Sequence, residues 1–494
     1  MNDLASEFDA INLGDQRLNR RARRILKKLG EKPTVSIPAA CGGWGETHAA
    51  YRFFDNPKVT AEGILAPHIA CTEKRLREHP RVLCIEDTTE LDFTKKKGIA
   101  GLGPLNHENR WGIYLHPTLA ITPDRVPLGL LGVQSFTRKP GSLGQDKDPN
   151  RPLEEKESVR WIDGFAHVNE LAEQLTETRL TYIADREGDI YDLFVEAPCP
   201  ERSADWLVRV QHQDRLLADG RKLREVLDAA PVLTEITFDR PPAKGRRART
   251  VHQQIKVVRV TLKAPARPDR TLPDVVVTAL LATEINPPVD ESPLDWLLLT
   301  NLIVETAEQA IEKFHWYLCR WQIEIYFKIL KSGCRIEELQ LEKRSRLEPA
   351  LMLYMIIAWR VLFLTMLGRE CPDMPCDRVF DDAEWKAVYI VTQHQPPPNE
   401  PPSLDTMVRM VAGLGGFLNR KGDGFPGPKT IWIGLQRAAD FVLALEAQRS
   451  IGVGRPKRPS AVTRFLAPIS RSQTLSCLIE QALQSMVAFP AAHL

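Results

Sequence analysis

Apolar and polar positions change period several times along the chain, and each change predicts a different element. Over residues 17–28, RLNRRARRILKK, a projection at about 100° per residue puts Leu18, Ala22, Ile25 and Leu29 on one arc. Arg17, Arg20, Arg21, Arg23, Arg24, Lys27 and Lys28 fill the opposite arc, and Asp15 stands where an N-cap belongs. A second helix is expected to end at Tyr51, Arg52, Phe53 and Phe54, ahead of the turn-forming Asn56-Pro57. The period then shortens. Runs at residues 82–85, 112–121 and 126–136 read as strands, the first ending in Glu86-Asp87-Thr88-Thr89. A polar loop over residues 140–152 leads into an amphipathic helix over about 155–175, and a further strand at 180–184 ends at Asp185. Three strands, a helix and a fourth strand, with acids after the first and the fourth, predict an α/β core.

From about residue 205 to 282 the pattern turns β-rich, with WLVRV, VLTEITF, QIKVVRVTL and DVVVTALLA separated by turns. This stretch reads as a β-rich insertion carrying a cationic turn, Lys244-Gly245-Arg246-Arg247-Ala248-Arg249. One more strand at 296–300 precedes a single long helix expected over about 306–332. Residues 350–367 are apolar enough to suggest a membrane span, but Arg360 interrupts them short of the roughly 20 residues a span needs, so a buried core helix is expected. QPPPNEPPS, residues 395–403, reads as a stiff proline-rich linker, and the basic segment after Arg449 as a tail.

Composition refines this outline in two ways. The chain is 43% hydrophobic and 26% charged, a mix that excludes a disordered tail, a collagen-like fibre and a small disulfide scaffold. At about 150 residues per domain it makes roughly three domains. With 66 Lys+Arg against 64 Asp+Glu the net charge is only +2, which taken alone argues against a polyanionic partner. Its distribution argues the other way. Solvated helix faces normally mix signs, whereas the arc from Arg17 to Lys28 holds no acid, and this favours nucleic-acid contact. The nine cysteines are scattered and odd in number, as expected of reduced cytosolic thiols. Cys371 and Cys376 read as loop thiols, no histidine pair has zinc-site spacing, and MNDLASEFDAINLGD lacks the features of a secretory signal.

The most specific chemistry lies in the expected long helix. In Tyr317-x2-Arg320-x3-Glu324-x6-Lys331 the four side chains project within about 60° of one another at 3.6 residues per turn. Lys313 and Lys328 share that stripe. An intrahelical ladder of Arg320, Glu324 and Lys328 would be worth only tenths of a kcal/mol per pair and leaves Tyr317 and the excess of cations unexplained. The other reading is one metal-binding carboxylate among phosphate-binding groups, with strand-end acids completing the set. Such a set holds two Mg²⁺ ions loosely enough to admit phosphate oxygens and water, the chemistry of phosphoryl transfer on DNA. Asp87 and Asp185 are candidates, and Glu86, Glu187 and Asp189 lie close enough in sequence to remain alternatives.

The stripe resembles the YREK signature of the DDE transposases of the insertion-sequence-four family. The resemblance runs from about Leu13 to Leu445. It includes Leu13-Gly14-Asp15, Ala50-Tyr51-Arg52-Phe53, Asn56-Pro57 and Ile85-Glu86-Asp87-Thr88-Thr89. It continues through Glu155-Lys156-Glu157-Ser158, Asp185-Arg186-Glu187, Ile285-Asn286-Pro287-Pro288, Trp296-Leu297-Leu298-Leu299-Thr300 and Leu414-Gly415-Gly416-Phe417. It implies an α/β fold with a ribonuclease-H-like catalytic core interrupted by a β-rich insertion, flanked by a helical N-terminal DNA-binding domain and a helical C-terminal dimerisation domain. The implied limits are residues 1–70, 71–368 with the insertion at about 203–292, 369–448, and a basic tail at 449–494. Here the sequence departs from the family in a denser cationic N-terminal face and in that tail.

Residue by residue, the resemblance makes Asp87, Asp185 and Glu324 the metal-binding catalytic triad, with two Mg²⁺ ions for which Mn²⁺ substitutes. Tyr317, Arg320 and Lys331 would grip phosphates, assisted by Arg209, with Lys328 a further DNA contact. Trp296 would support a base flipped out of the duplex, although a tryptophan in an apolar strand otherwise reads as core. Arg21 and Arg52 match end-recognition residues, and the loop at 244–249 resembles one that touches the element's end. The implied function is cut-and-paste transposition by a cytoplasmic homodimer acting on terminal inverted repeats and target DNA, with no membrane. The rivals are a catalytically silent end-binding or inhibitory relative and a metal nuclease that cuts without joining.

Overall fold

The computed structural model describes residues 4–452 apart from 97, 143, 145–151, 197–202, 241–247, 268–269, 290 and 292. The chain divides into two compact units, Met1–Leu443 and Ala444–Leu494. In the second, only the end of one helix falls among the described residues, so the basic tail lies outside them.

The N-terminal helices are α1 (Gln16–Glu31), α2 (Ile37–Cys41), α3 (Trp44–Phe54) and α4 (Ala61–Leu76). Asp15 caps α1 as expected, its side chain accepting from the Arg17 N–H. Ala22, Ile25, Leu26 and Leu29 are buried beneath it, which bears out the apolar arc. Helix α3 ends at Phe54, where the second helix was expected to stop.

Five strands form the centre: β1 (Arg81–Glu86), β2 (Thr89–Asp92), β3 (Gly103–Pro104), β4 (Trp111–Ile121) and β5 (Pro127–Phe136). Helix α5 (Val159–Gln174) then leads to β6 (Arg179–Ala184), helix α6 (Tyr191–Val195) and β7 (Asp205–Arg209). The order β5-β4-β1-β6-β7 has β5, β4 and β1 antiparallel and β1, β6 and β7 parallel, the arrangement expected of a ribonuclease-H-like core. Strands β1 and β2 run end to end along the same edge of β4. Continuing their register sets Asp87 opposite Pro117, which has no N–H to give, and the ladder breaks there.

After α7 (Leu223–Ala229) come β8 (Val232–Arg240), β9 (Arg249–Leu262), β10 (Val275–Glu284) and β11 (Asp295–Thr300). These do not form a separate sheet. Strand β11 pairs with β7, and β10, β9 and β8 extend the same sheet outward. Strand β7, inside the span read as insertion, is thus the fifth strand of the core.

The long helix expected over 306–332 is broken into α8 (Ala307–Leu318) and α9 (Trp321–Lys328), followed by a π turn, Ile329–Gly333. At the break the backbone tightens to i→i−3 bonds, Arg320 to Tyr317, Gln322 to Cys319 and Ile323 to Arg320. Helix α10 (Arg344–Glu370) is apolar and long enough to cross a membrane, but 94% of its apolar window is buried inside the protein. It is the core helix expected, and Arg360 in its middle reaches Glu384. Helices α11 (Asp382–Gln393), α12 (Leu404–Leu414) and α13 (Pro428–Gly452) complete the described chain.

A buried polar staple ties the N-terminal segment to the core. Glu7, 1% exposed, binds His68 and Arg75 of α4. The Leu130 N–H donates to His68 Nε2, so the imidazole is neutral and its Nδ1–H points at Glu7. Arg75 also reaches the Leu128 carbonyl and stacks over Trp359 of α10. Burial raises the Glu7 pKa, but the His68 hydrogen bond and the Arg75 charge outweigh it and hold the carboxyl below its ordinary value. Glu7→Ala should therefore destabilise the fold by about 3–5 kcal/mol. Because the folded pKa is depressed, that contribution is present above the ordinary carboxylate pKa and lost as pH falls through the folded one. Denaturation midpoints of the two proteins should accordingly converge at acid pH.

Candidate active site

The parallel strands β1, β6 and β7 deliver Asp87, Asp185 and Arg209 to one edge of the sheet. Asp87 follows β1, Asp185 follows β6, and the two strands pair up to Ile85 and Ile183. Arg209 ends β7 and pairs with Leu298 of β11. The carboxyl ends of parallel strands are where open α/β sheets hold ligands.

Arg320 joins this edge to α9. Its Nη1 donates to Asp87 Oδ2 at 2.9 Å and its Nη2 to Glu324 Oε1 at 2.6 Å. The guanidinium is nearly buried, with 9% of its side chain exposed, whereas Glu324 is 41% exposed and faces the opening. Asp87 also accepts the Thr88 N–H at 2.7 Å. Burial, the Asp185 charge and, more weakly, Glu324 push the Asp87 pKa up to about 6 against the pull of Arg320. Asp185 caps a 3₁₀ turn, accepting from the Glu187 N–H at 2.8 Å.

Tyr317 lies at the end of α8, buried, with Arg320 and Arg209 beside it. Among the described residues its hydroxyl has no hydrogen-bond partner, and burial raises its pKa. Lys328 is exposed at the end of α9. Lys331 sits elsewhere than a straight helix would put it. It lies in the π turn, where Glu337, Glu90, Asp92 and Arg110 are the charges around it and burial lowers its pKa. The projection that set it on one stripe with Glu324 assumed an unbroken helix.

The alternative acids are engaged elsewhere. Glu86 is fully buried and accepts from Tyr182, Thr118 and His116. Asp189 is buried against Arg215 and the N–H groups of Gln211 and His212. Glu187 is exposed and paired with Arg160. Trp296, two residues from Leu298 on β11, is half-buried between Phe238 and Phe314.

On α1, Arg21, Arg24 and Lys28 all reach Glu46 of α3, so an acid from another helix answers part of the cationic face. Arg52 is exposed and has no ion pair among the described residues. In the basic turn, residues 244–247 lie outside the described residues, while Arg249 begins β9 and binds Glu284 and Glu291. Two side chains went unnoticed in the sequence. Trp321, immediately after Arg320, is 53% exposed with the guanidinium over its ring. Arg160 lies just beyond the quoted Glu155–Ser158 motif and connects Thr88 to Glu187.

Three family models match the chain in succession: transposase DNA-binding over residues 2–59, the transposase DDE domain over 163–360, and the transposase Tn5 dimerisation domain over 356–453. The chain belongs to the DDE transposases. A solved piggyBac transposase synaptic complex with hairpin DNA is 11% identical, with a TM-score of 0.32 over 83% of this chain. The matched part is 66% of that neighbour's length, and at this distance the likeness carries no argument.

DDE transposases depend on a divalent metal, and the donor set can be tested against one. Asp87, Asp185 and Glu324 offer the hard oxygens that Mg²⁺ and Mn²⁺ prefer. The repulsion that lifts Asp87 is what such a cation would relieve. Among the described residues no three Asp, Glu, His or Cys side chains converge closely enough to cage an ion, and Arg320 stands between Asp87 and Glu324. The donors thus fit a hard cation in an open site shared with substrate oxygens.

The raised Asp87 pKa sets a sign. An acid whose folded pKa exceeds its ordinary value costs stability as pH rises from that value through about 6. Asp87→Asn should raise metal-free stability at pH 8 by on the order of 1–3 kcal/mol. The gain should shrink toward zero near pH 4. Thermal melts in EDTA at both pH values check this, and an equal gain at both would refute its electrostatic origin.

Proposed function

We propose that this protein is a cut-and-paste DNA transposase that binds terminal inverted repeats, excises its element and joins the 3′-hydroxyl ends to target DNA. The observation that carries the reading is the meeting of Asp87 and Glu324 on one guanidinium, with the Asp185 charge acting on the same carboxyl. Asp87, Asp185 and Glu324 would hold two Mg²⁺ ions, with Mn²⁺ able to substitute. When bound, the ions would activate an attacking oxygen and stabilise the leaving one in an in-line displacement.

The chain's own side chains do the rest. Arg320, neutralising two carboxylates in the free protein, would turn to a phosphate once metal replaces its charge. The buried Tyr317 hydroxyl would donate to a phosphate oxygen, with Arg209 alongside. Lys328 and Lys331 would contact the backbone on either side, and Arg21, Arg52 and the loop at 244–249 would hold the end sequence. The half-buried Trp296 would support a base flipped from the duplex while the 3′-hydroxyl attacks the opposite strand to form a hairpin. Two ends processed together call for a homodimer, through about residues 369–447, each subunit binding one end and cutting the other. The protein would work in the cytoplasm, on nucleoid DNA.

Asp87→Ala, Asp185→Ala and Glu324→Ala should each cut Mg²⁺-dependent end cleavage by about a thousandfold, several kcal/mol of transition-state stabilisation, with end binding in gel shifts retained. Substantial cutting by any of them would reject the triad. Trp296→Ala should impair hairpin formation selectively on a pre-nicked end, and a normal hairpin yield would return Trp296 to the core. Strand transfer of pre-cut ends separates a transposase from an end-binding protein and from a nuclease that does not join.

A further inference from the structure

A second polar cluster lies behind the carboxylates and has no part in the roles above. Glu86, the residue before Asp87, is fully buried at the end of β1. Its carboxyl accepts from the Tyr182 hydroxyl at 2.7 Å, from Thr118 and from His116 Nε2 at 3.1 Å. With Nε2 donating, His116 Nδ1 is free to accept, and the Thr88 hydroxyl stands 2.9 Å from it. Thr88 is the residue after Asp87. Its oxygen in turn accepts from Arg160 Nε at 3.0 Å, and Arg160 Nη2 reaches Glu187 at 2.8 Å. The Glu187 N–H closes the chain on Asp185.

Every bond in this sequence has one consistent direction, from Glu187 and Arg160 on α5 inward to Glu86. It holds both sequence neighbours of Asp87 and ends on the turn that carries Asp185. The packing around it is specific. A Cβ at Gly164 would fall 2.1 Å from a Glu86 oxygen, so α5 approaches that carboxyl as closely as glycine allows. The His116 ring meets the fully buried Trp161 edge-on at 4.6 Å. Burying a carboxyl, an imidazole and two hydroxyls here is less favourable than an apolar packing unless their geometry serves a purpose.

We propose that Glu86, His116, Thr88 and Arg160 form a positioning network that fixes Asp87 and Asp185 in the relative orientation a divalent cation requires. This rests on the transposase reading for its metal. Because β1 and β2 break at Asp87 and Thr88, the sheet ladder does not hold these two residues, and the network replaces it. Outer-shell partners of this kind typically change metal affinity 10–100-fold.

The test uses the full-length protein with Thr88→Val, which keeps shape and removes the hydroxyl, and Arg160→Lys, which keeps charge and loses the fork. Mn²⁺ binding, followed by electron paramagnetic resonance without DNA, should weaken about tenfold in both. The Mg²⁺ concentration for half-maximal end cleavage should rise by a similar factor, and the rate at saturating Mg²⁺ should change less. Wild-type Mn²⁺ affinity in both variants would overturn the proposal. So would a fall in maximal rate at unchanged half-saturation, which would make these residues DNA contacts, or loss of cooperative folding in Thr88→Val. The Mn²⁺ titration needs no cleavage, so a wild type that binds Mn²⁺ but fails to cut would count against the transposase reading alone.

Discussion

The grip of Arg320 on Asp87 and Glu324 is the interaction on which the site depends. Three carboxylates gathered at one edge of a sheet repel one another, and the rise in the Asp87 pKa records that repulsion. A guanidinium bonded to two of them offsets it and ties the end of β1 to α9, far away in sequence. The helix break at Cys319 and Arg320 belongs to the same geometry, since Arg320 leaves the line of α8 where it turns toward Asp87. Buried ion pairs of this type add little net stability, and their value lies in specifying where groups meet.

Much of the fold could be read in the sequence because it rests on local signals. The strands after Arg81 and Arg179, the cap at Asp15 and the burial of α10 all follow from short apolar patterns and single capping groups. What could not be read are features that depend on distant partners. The α1 arc shows no acid, yet Glu46 reaches it from α3. Nothing near Glu7 announces His68 and Arg75. Strand β7 could pass for insertion until its parallel pairing with β6 is seen.

The site shows the same division. Asp87, Asp185 and Glu324 were separable from Glu86, Glu187 and Asp189 only through a family resemblance. In the structure, burial and hydrogen bonding engage the rival acids. Helical projection grouped Tyr317, Arg320 and Glu324 correctly because they lie within two turns of one another. It failed for Lys331, since a tightened turn at Arg320 and a π turn after Lys328 each alter the angle between successive side chains. Arg160 and Trp321 carry no pattern of their own, and their positions matter only once β1, α5 and α9 are packed together.

Helix α10 has a consequence for how two subunits would cooperate. The DDE model ends at residue 360 and the dimerisation model begins at 356, both inside this helix. No loop separates the two segments, and most of the helix is enclosed on all sides. A 27-residue helix rises about 40 Å and bends little without proline or glycine in its middle. In a dimer built through the C-terminal helices, the spacing between two cutting sites would be set by the length of a stiff rod and not by the slack of a tether. Insertion of a single residue into α10 would rotate one active site about 100° relative to its partner, whereas the same insertion in a surface loop would change nothing.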